Sequence, residues 1–304
     1  MAIQTEIWLS DLQENLFPSN AFYQNAIDDT PNVIEGKTVH IPQAGSKPNV
    51  VKNRTSLPAT ISQRTDSELT YELDSYSTNP ILVQNTEEVE LSYQKRQNVL
   101  MEHQDMINSD VAADTAYAWA PTKGDNIVRT SDSDTRDATA PSATGTRKRV
   151  SRSDIVKVRE VLDRMDVPTD DNMLFAVVPP EYQADLMLIN DFVHADKIGS
   201  AQLVSGTIGQ LLGINIFVRS KAAFYDSSST PQRKQPDWGG AAGANLGGIF
   251  WSRSMVRKAK GSVQVYAEED KPEYYGDVMS AEVRAGGSKS RSDEKGIVAL
   301  VQQS

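Results

Sequence analysis

Residues 37–84 carry two stretches of alternating apolar and polar residues separated by about twenty mostly polar ones, and a compact domain rarely accommodates such a connection. Val39 and Ile41 alternate with Thr38 and His40, and Leu69, Tyr71 and Leu73 alternate with Thr70, Glu72 and Asp74. A period of two marks strands with one buried face. Residues 45–66 between them contain Lys47, Lys52, Arg54 and Arg64, together with Pro48 and Pro58. The segment is expected to be a long β-hairpin whose connection projects from the body of the protein.

The residues that follow read as one long helix over 86–120. Glu87, Glu88 and Glu90 suit the positive end of a helix dipole. Tyr93, Leu100, Ile107 and Val111 mark one face, an alanine-rich end follows, and Pro121 stops the pattern. About thirty residues at 1.5 Å each span roughly 45 Å, the length of a spine rather than of an ordinary packed helix. Before the hairpin, Ile7, Trp8, Leu12, Leu16 and Phe17 have roughly helical spacing up to Pro18, as either a packed helix or an arm that docks on a neighbour.

A second lobe begins near residue 151, after a Thr-, Ser-, Asp- and Gly-rich stretch over 122–150 that reads as loop or linker. Ser151 and Asp154 fit a capping box ahead of a helix carrying Ile155, Val158, Val161, Leu162 and Met165. An apolar strand over 173–178 leads into a second helix that opens at Pro179-Pro180-Glu181. Residues 205–213 are expected to form a short helix ended by Gly213, feeding a strand over 214–218. Further strands are expected at 248–251, 262–267 and 297–301, and 274–283 fits either strand or helix. The result is an α+β chain of segregated pieces, without regular βαβ alternation.

The chemistry-bearing residues form no recognised constellation. The chain has no cysteine, which excludes disulfides, thiolate metal sites and cysteine nucleophiles. Its three histidines, His40, His103 and His194, lie far apart, and no G-x-S-x-G elbow occurs. Acidic residues are plentiful, but nothing selects a catalytic pair. Asp132-Ser133-Asp134-Thr135-Arg136-Asp137 has the outline of a calcium loop but lacks its central glycine and closing glutamate. The glycines at 206, 209 and 213 precede a strand, whereas a phosphate cradle follows one. Arg147, Lys148, Arg149 and Arg152 make the best basic cluster, read as a solvated loop or a partner for a neighbour's acids. A net charge of −10 argues against tight binding of nucleic acid by the whole chain. No run of about eighteen apolar residues occurs and the first residues lack a basic and apolar leader, so a soluble cytoplasmic product is expected. No enzyme activity, metal or cofactor is expected.

The order of parts is more informative. Phe175-Ala176-Val177-Val178-Pro179-Pro180-Glu181-Tyr182 resembles the strand–proline–helix entry of the Hong Kong 97-type capsid family. Residues 205–213 followed by Ile214-Asn215-Ile216-Phe217-Val218-Arg219-Ser220 resemble that family's glycine, short helix, glycine, strand and serine segment. The helix over 154–166 before them, and 247–250 and 262–267 after them, fall in the same order. As architecture the resemblance covers nearly the whole chain; as sequence it covers about 150–300.

The resemblance implies a major capsid protein of a tailed bacteriophage, assembled in the host cytoplasm as pentamers and hexamers into the icosahedral shell of a virion. It implies an N-terminal arm (1–36), an extended loop lying over a neighbour (37–84), a peripheral domain with the spine helix (85–150), an axial domain (151–272) and a C-terminal return to the peripheral domain (273–304). Intersubunit contact is then expected at Trp8, at Lys47, Lys52, Arg54 and Arg64 of the loop, and at Glu87, Glu88 and Glu90 opposite them. A portal protein is an expected partner, with a decoration protein as an optional one and packaged DNA in weak, non-specific contact. No scaffolding segment fits before residue 37, so a separate scaffolding protein is expected. Self-cross-linking, known in some members, is not carried over, because no acceptor or assisting acid can be matched to Lys47 or Lys52. An encapsulin-type nanocompartment shell is the nearest alternative. A tail or carbohydrate-binding adhesin, with Trp238, Tyr274 and Tyr275 as contact aromatics, is the next.

Overall fold

The structure is a computed structural model. It describes residues 21–34, 37–45, 49–55, 57–58, 61, 63–84, 94–168, 173–188, 207–220 and 223–304. The first predicted helix, with Trp8, lies outside these residues, as do Lys47, Glu87, Glu88, Glu90 and His194.

In chain order the N-terminal strands are β1 (Ile27–Asp28), β2 (Val33–Ile34), β3 (Thr38–Gln43), β4 (Ser67–Glu72), β5 (Asp74–Ser77) and β6 (Ile81–Gln84). Helix α1 (Gln94–Trp119) follows, then β7 (Ile127–Arg129), β8 (Thr135–Asp137) and β9 (Thr146–Lys148). Helix α2 (Arg152–Arg164), β10 (Leu174–Val178) and helix α3 (Pro180–Met187) open the second lobe. It continues with β11 (Thr207–Leu211), β12 (Ile214–Val218), β13 (Ala223–Tyr225), β14 (Arg233–Lys234) and β15 (Asn245–Ser252). The long strands β16 (Val256–Lys271) and β17 (Gly276–Lys289) precede β18 (Ile297–Val301).

One sheet lies at the centre of the second lobe. Its path is β11-β12-β10-β15-β13-β14, and β18 pairs with both β15 and β7. Strands β10 and β18 are buried at every position, which is why they read as continuous apolar runs. Leu174, Ala176, Val178, Val298 and Leu300 face α2 and α3, where Ile155, Val158, Leu162, Tyr182 and Leu186 pack. Phe175, Val177, Ile297, Ala299 and Val301 face the other way, onto Ala112, Ala116 and Trp119 of α1. Helix α2 starts with the expected capping box, in which the Ser151 amide donates to Asp154 Oδ2 at 3.0 Å.

A second sheet follows the path β1-β16-β17-β5, with β6 also on β17. Along β17 burial alternates, so that Met279, Ala281, Val283 and Ala285 point inward. The last three meet Ile107 and Val111 of α1, the helix face read from the sequence. Gly287 lets the helix close in: a Cβ there would stand 2.7 Å from the Thr115 methyl and 3.1 Å from the Trp119 indole nitrogen. As described, α1 has 26 residues and so spans about 39 Å.

Three expectations are corrected. Residues 205–213 do not form a helix in their described part: β11 and β12 make an antiparallel hairpin, and Gly213 lies in its turn. Leu212 (φ 52°) and Gly213 (φ 77°) both have positive φ, as a type I′ turn requires. The predicted loop over 122–150 contains β7, which joins the central sheet, and the β8–β9 ribbon. The second arm of the hairpin over 37–84 ends at Glu72; β5 and β6 beyond it pair with β17.

Candidate intersubunit surfaces

Strand β3 pairs antiparallel with β4, from Thr38 opposite Glu72 to Gln43 opposite Ser67. Val39, Ile41 and Leu73 are buried against Ala259 of β16, so the alternation read from the sequence fixes the hairpin on the second sheet. His40 is on the solvent face, with Nδ1 2.5 Å from Glu68 Oε1. The connection leaves this hairpin at its far end. Its root is tied by Asp66, which accepts from the Gly45 amide at 2.8 Å and from Arg64 Nε at 2.6 Å. The Gly45 amide first and Arg64 second hold the Asp66 carboxyl below its ordinary value.

Arg64 thus has an ion pair within its own chain, while its side chain remains about half-exposed. Lys52 and Arg54 are exposed, on either side of Asn53 in the left-handed region (φ 51°). Large apolar residues stand beside these cations. Val50 is 88% exposed, Leu57 83% and Ile61 96%. The signal was present as four large apolar residues, Val50, Val51, Leu57 and Ile61, in a stretch with no period to bury them.

A groove lies along α1 where β5 turns into β6. It holds about 370 Å³ and is lined mostly by apolar atoms of Tyr76, Ile81, His103, Met106 and Ile107, with Asp110 among the lining residues. Met106 is 62% exposed. Burial first, and the nearby charges of Asp110 and Asp74 as well, push the Asp114 carboxyl above its ordinary value, although Tyr76 donates to it at 2.9 Å. At the tip of the β16–β17 hairpin Tyr274 and Tyr275 are exposed. Trp238 sits elsewhere, with Lys234 Nζ 5.8 Å from its ring centre, so these aromatics do not gather into one platform.

The basic cluster is not a solvated loop. Arg147 is buried, donating to Asn245 Oδ1 at 2.6 Å and to the carbonyls of Thr144, Thr146, Ala242 and Ala244. Arg149 and Arg136 flank the buried Asp185 carboxylate. Asp132 caps the turn into β8 by accepting from the Asp134 amide at 3.2 Å. Among the described residues no three His, Cys, Asp or Glu side chains converge as a metal site. No helix among them is long and apolar enough to cross a membrane.

A chain with a long helix, a hairpin bearing a long connection and a layered α/β sheet region has the Hong Kong 97-type fold. Solved structures of similar fold include phage capsids. The capsid of cyanophage P-SCSP1u matches with a TM-score of 0.60 at 16% identity, over 92% of this chain and 86% of that one. The capsid of Ralstonia phage GP4 matches with a TM-score of 0.62 at 10% identity, over 92% and 87%. A virus-like particle from Pyrococcus furiosus matches with a TM-score of 0.57 at 12% identity, over 98% and 99%. No protein-family model and no curated protein matches the sequence.

Proposed function

We propose that this chain is the major capsid protein of a tailed bacteriophage, a structural protein without catalytic activity whose copies assemble as pentamers and hexamers into an icosahedral shell. The observation that carries the reading is the fold, shared over about nine-tenths of the chain with phage capsid subunits. The exposed apolar tip of the 45–66 connection supports it, because such a surface calls for a covering partner.

We assign 1–36 as an N-terminal arm, 37–84 as the extended loop, and α1 with the residues up to 150 as the peripheral unit. The lobe that opens at 151 is the axial unit. Strands β16 and β17 form one antiparallel pair, which favours placing 256–289 with the spine; β18 pairs with β15, which favours placing 297–301 with the axial unit. Lys52, Arg54 and Arg64 are the loop cations offered to neighbours, with Lys47, Trp8, Glu87, Glu88 and Glu90 as further proposed contacts.

A portal protein, a separate scaffolding protein and an optional decoration protein complete the proposed assembly, located in the virion and built in the host cytoplasm. A net charge of −10 keeps contact with the enclosed DNA weak. An encapsulin-type nanocompartment shell, alike in fold by the resemblance, is the second reading. Particles isolated from the source cells and treated with nuclease separate the two. Protected double-stranded DNA of uniform length supports the phage shell, and protein cargo with no protected DNA overturns it.

A further inference from the structure

We propose that the pocket between β1 and β16 binds a phosphate group of the enclosed DNA through Lys258 and Lys260. The DNA half of this assignment rests on the shell reading; the pocket's affinity for phosphate does not.

Charge is spread unevenly along the chain. Residues 253–260 carry Arg253, Arg257, Lys258 and Lys260 and no acid, in a chain whose net charge is −10. Arg257 is used internally, donating to the buried Asp29 carboxylate at 2.7 Å. The register sends the two lysines to the other side of the strand. Lys258 stands opposite Gly287 and Lys260 opposite Ala285 on β17, and directly paired residues share one face of a sheet. That face carries α1, because Ala285 packs with Ile107 and Val111, and Gly287 lies against Thr115. Ala259 between the lysines faces the β3–β4 hairpin instead.

On the α1 side both lysines line a pocket of about 240 Å³, together with Tyr23, Asp28 and Thr30. A cavity of about 150 Å³ takes a benzene ring, so a tetrahedral phosphate fits with room for water. Lys258 Nζ lies 4.8 Å from the centre of the Tyr23 ring, which stacks on Trp119 and so gives the ammonium a fixed platform. Asp28 turns its Oδ1 to Thr30, accepting from the amide at 2.9 Å and from the hydroxyl at 2.5 Å. Two ammonium groups and one carboxylate leave the lining of the pocket net positive. Burial holds both ammonium groups below their ordinary values, Lys258 in spite of the pull of Asp28. An entering anion offsets the cost of that burial.

The chemistry favours phosphate. The two stems start about 6.6 Å apart along the strand and are long enough to converge on one tetrahedral anion. A phosphate diester offers an oxygen to each amine, and lysine serves such groups as a point charge. No base edge is read in this way, so the contact is independent of sequence and weakened by salt. It is therefore compatible with the weak hold on DNA that the acidic chain as a whole dictates.

Anisotropy of a short labelled DNA duplex, titrated with the full unassembled chain at several salt concentrations, tests the site. Lys258→Gln and Lys260→Gln are each expected to weaken binding and to lower the slope of log affinity against log salt by about one. Their melting temperatures are expected not to fall, since each change removes a half-buried charge. Lys271→Gln makes the same charge change at the far end of β16 and is expected to alter neither affinity nor slope. An equal loss in Lys271→Gln, or unchanged affinity and slope in both pocket variants, overturns the proposal. Reductive methylation read by mass spectrometry is the second arm. Inorganic phosphate and the duplex are each expected to protect Lys258 and Lys260 and to leave Lys271 reactive. Protection by neither overturns the site, and protection by inorganic phosphate alone overturns its assignment to DNA. Both results leave the shell reading standing; that reading fails if the unsubstituted chain forms neither rings nor shells.

Discussion

Trp119 and Trp251 meet with ring centroids 5.4 Å apart and planes inclined at 50°, joining the last turn of the spine helix to the middle of the central sheet. Phe22 lies edge-on to both rings, at 6.0 and 6.3 Å. Each indole N–H is used: Trp119 donates to the Arg257 carbonyl at 3.0 Å and Trp251 to the Asn25 carbonyl at 2.9 Å. Four separate parts of the chain therefore converge on two side chains.

Removing the first of these rings should loosen the whole joint. Trp119→Ala leaves a large void among Ala116, Trp251 and Val256, and truncating a fully buried tryptophan costs about 3–5 kcal/mol. Trp119→Phe retains most of the packing and loses the bond to Arg257, at about 1 kcal/mol. Urea unfolding of the two variants checks the order.

Arg147 predicts a loss that its sequence context hides. Arg147→Met keeps the bulk and leaves Asn245 Oδ1 and the Ala244 carbonyl without this donor, whereas the Ala242 carbonyl still accepts from the Thr144 amide. Each buried acceptor left unpaired costs about 1–3 kcal/mol, so a destabilisation of at least about 2 kcal/mol is expected by thermal or urea unfolding.

Glu294 gives the fold an acid limit. Burial alone would raise its carboxyl. Lys289, the Thr122 hydroxyl and the Lys123 amide outweigh that and hold it at about 2, below the ordinary 4.5. Burial pulls the Lys289 ammonium down, so the favourable part of the pair lies on the carboxylate side. The folded value is depressed, so the contribution is full above about pH 4.5 and disappears as pH falls through about 2. Glu294→Gln should be less stable than the unsubstituted chain by roughly 2 kcal/mol at neutral pH. The gap should narrow below about pH 4.5 and close near pH 2, as followed by unfolding across a pH series.

At the loop, Lys52 and Arg54 should act on assembly and not on folding. Reversing both to glutamate should leave the subunit's stability within about 0.5 kcal/mol, because neither side chain is packed. Light scattering should show slower assembly, with a smaller dependence on salt. Arg64→Glu should differ, since it also removes the tie to Asp66 at the loop's root.

What the sequence revealed follows from how local each signal is. Val39, Ile41, Leu69, Tyr71 and Leu73 announce their strands because each shows one face to a core and alternates with residues in solvent. Ser151 and Asp154 announce a helix start because the cap is made within four residues. The β11–β12 turn was illegible for the opposite reason. It places Leu212 at positive φ, where Asn, Asp or Gly would have signalled a type I′ turn. The 122–150 stretch reads as loop because its order comes from afar: β7 pairs with β18, and Arg147 reaches Ala242, Ala244 and Asn245. At the candidate contact surfaces the charges were legible and the roles were not. Arg64 pairs with Asp66 at the root of its own loop, and the apolar residues beside Lys52 and Arg54 are visible as a surface only once their exposure is known.

The central claim is that the chain builds a shell, and negative-stain electron microscopy of the purified protein tests it most directly. Closed particles, or free rings with five and six members, are the predicted result. A field of monodisperse monomers at concentrations where shells form would contradict it.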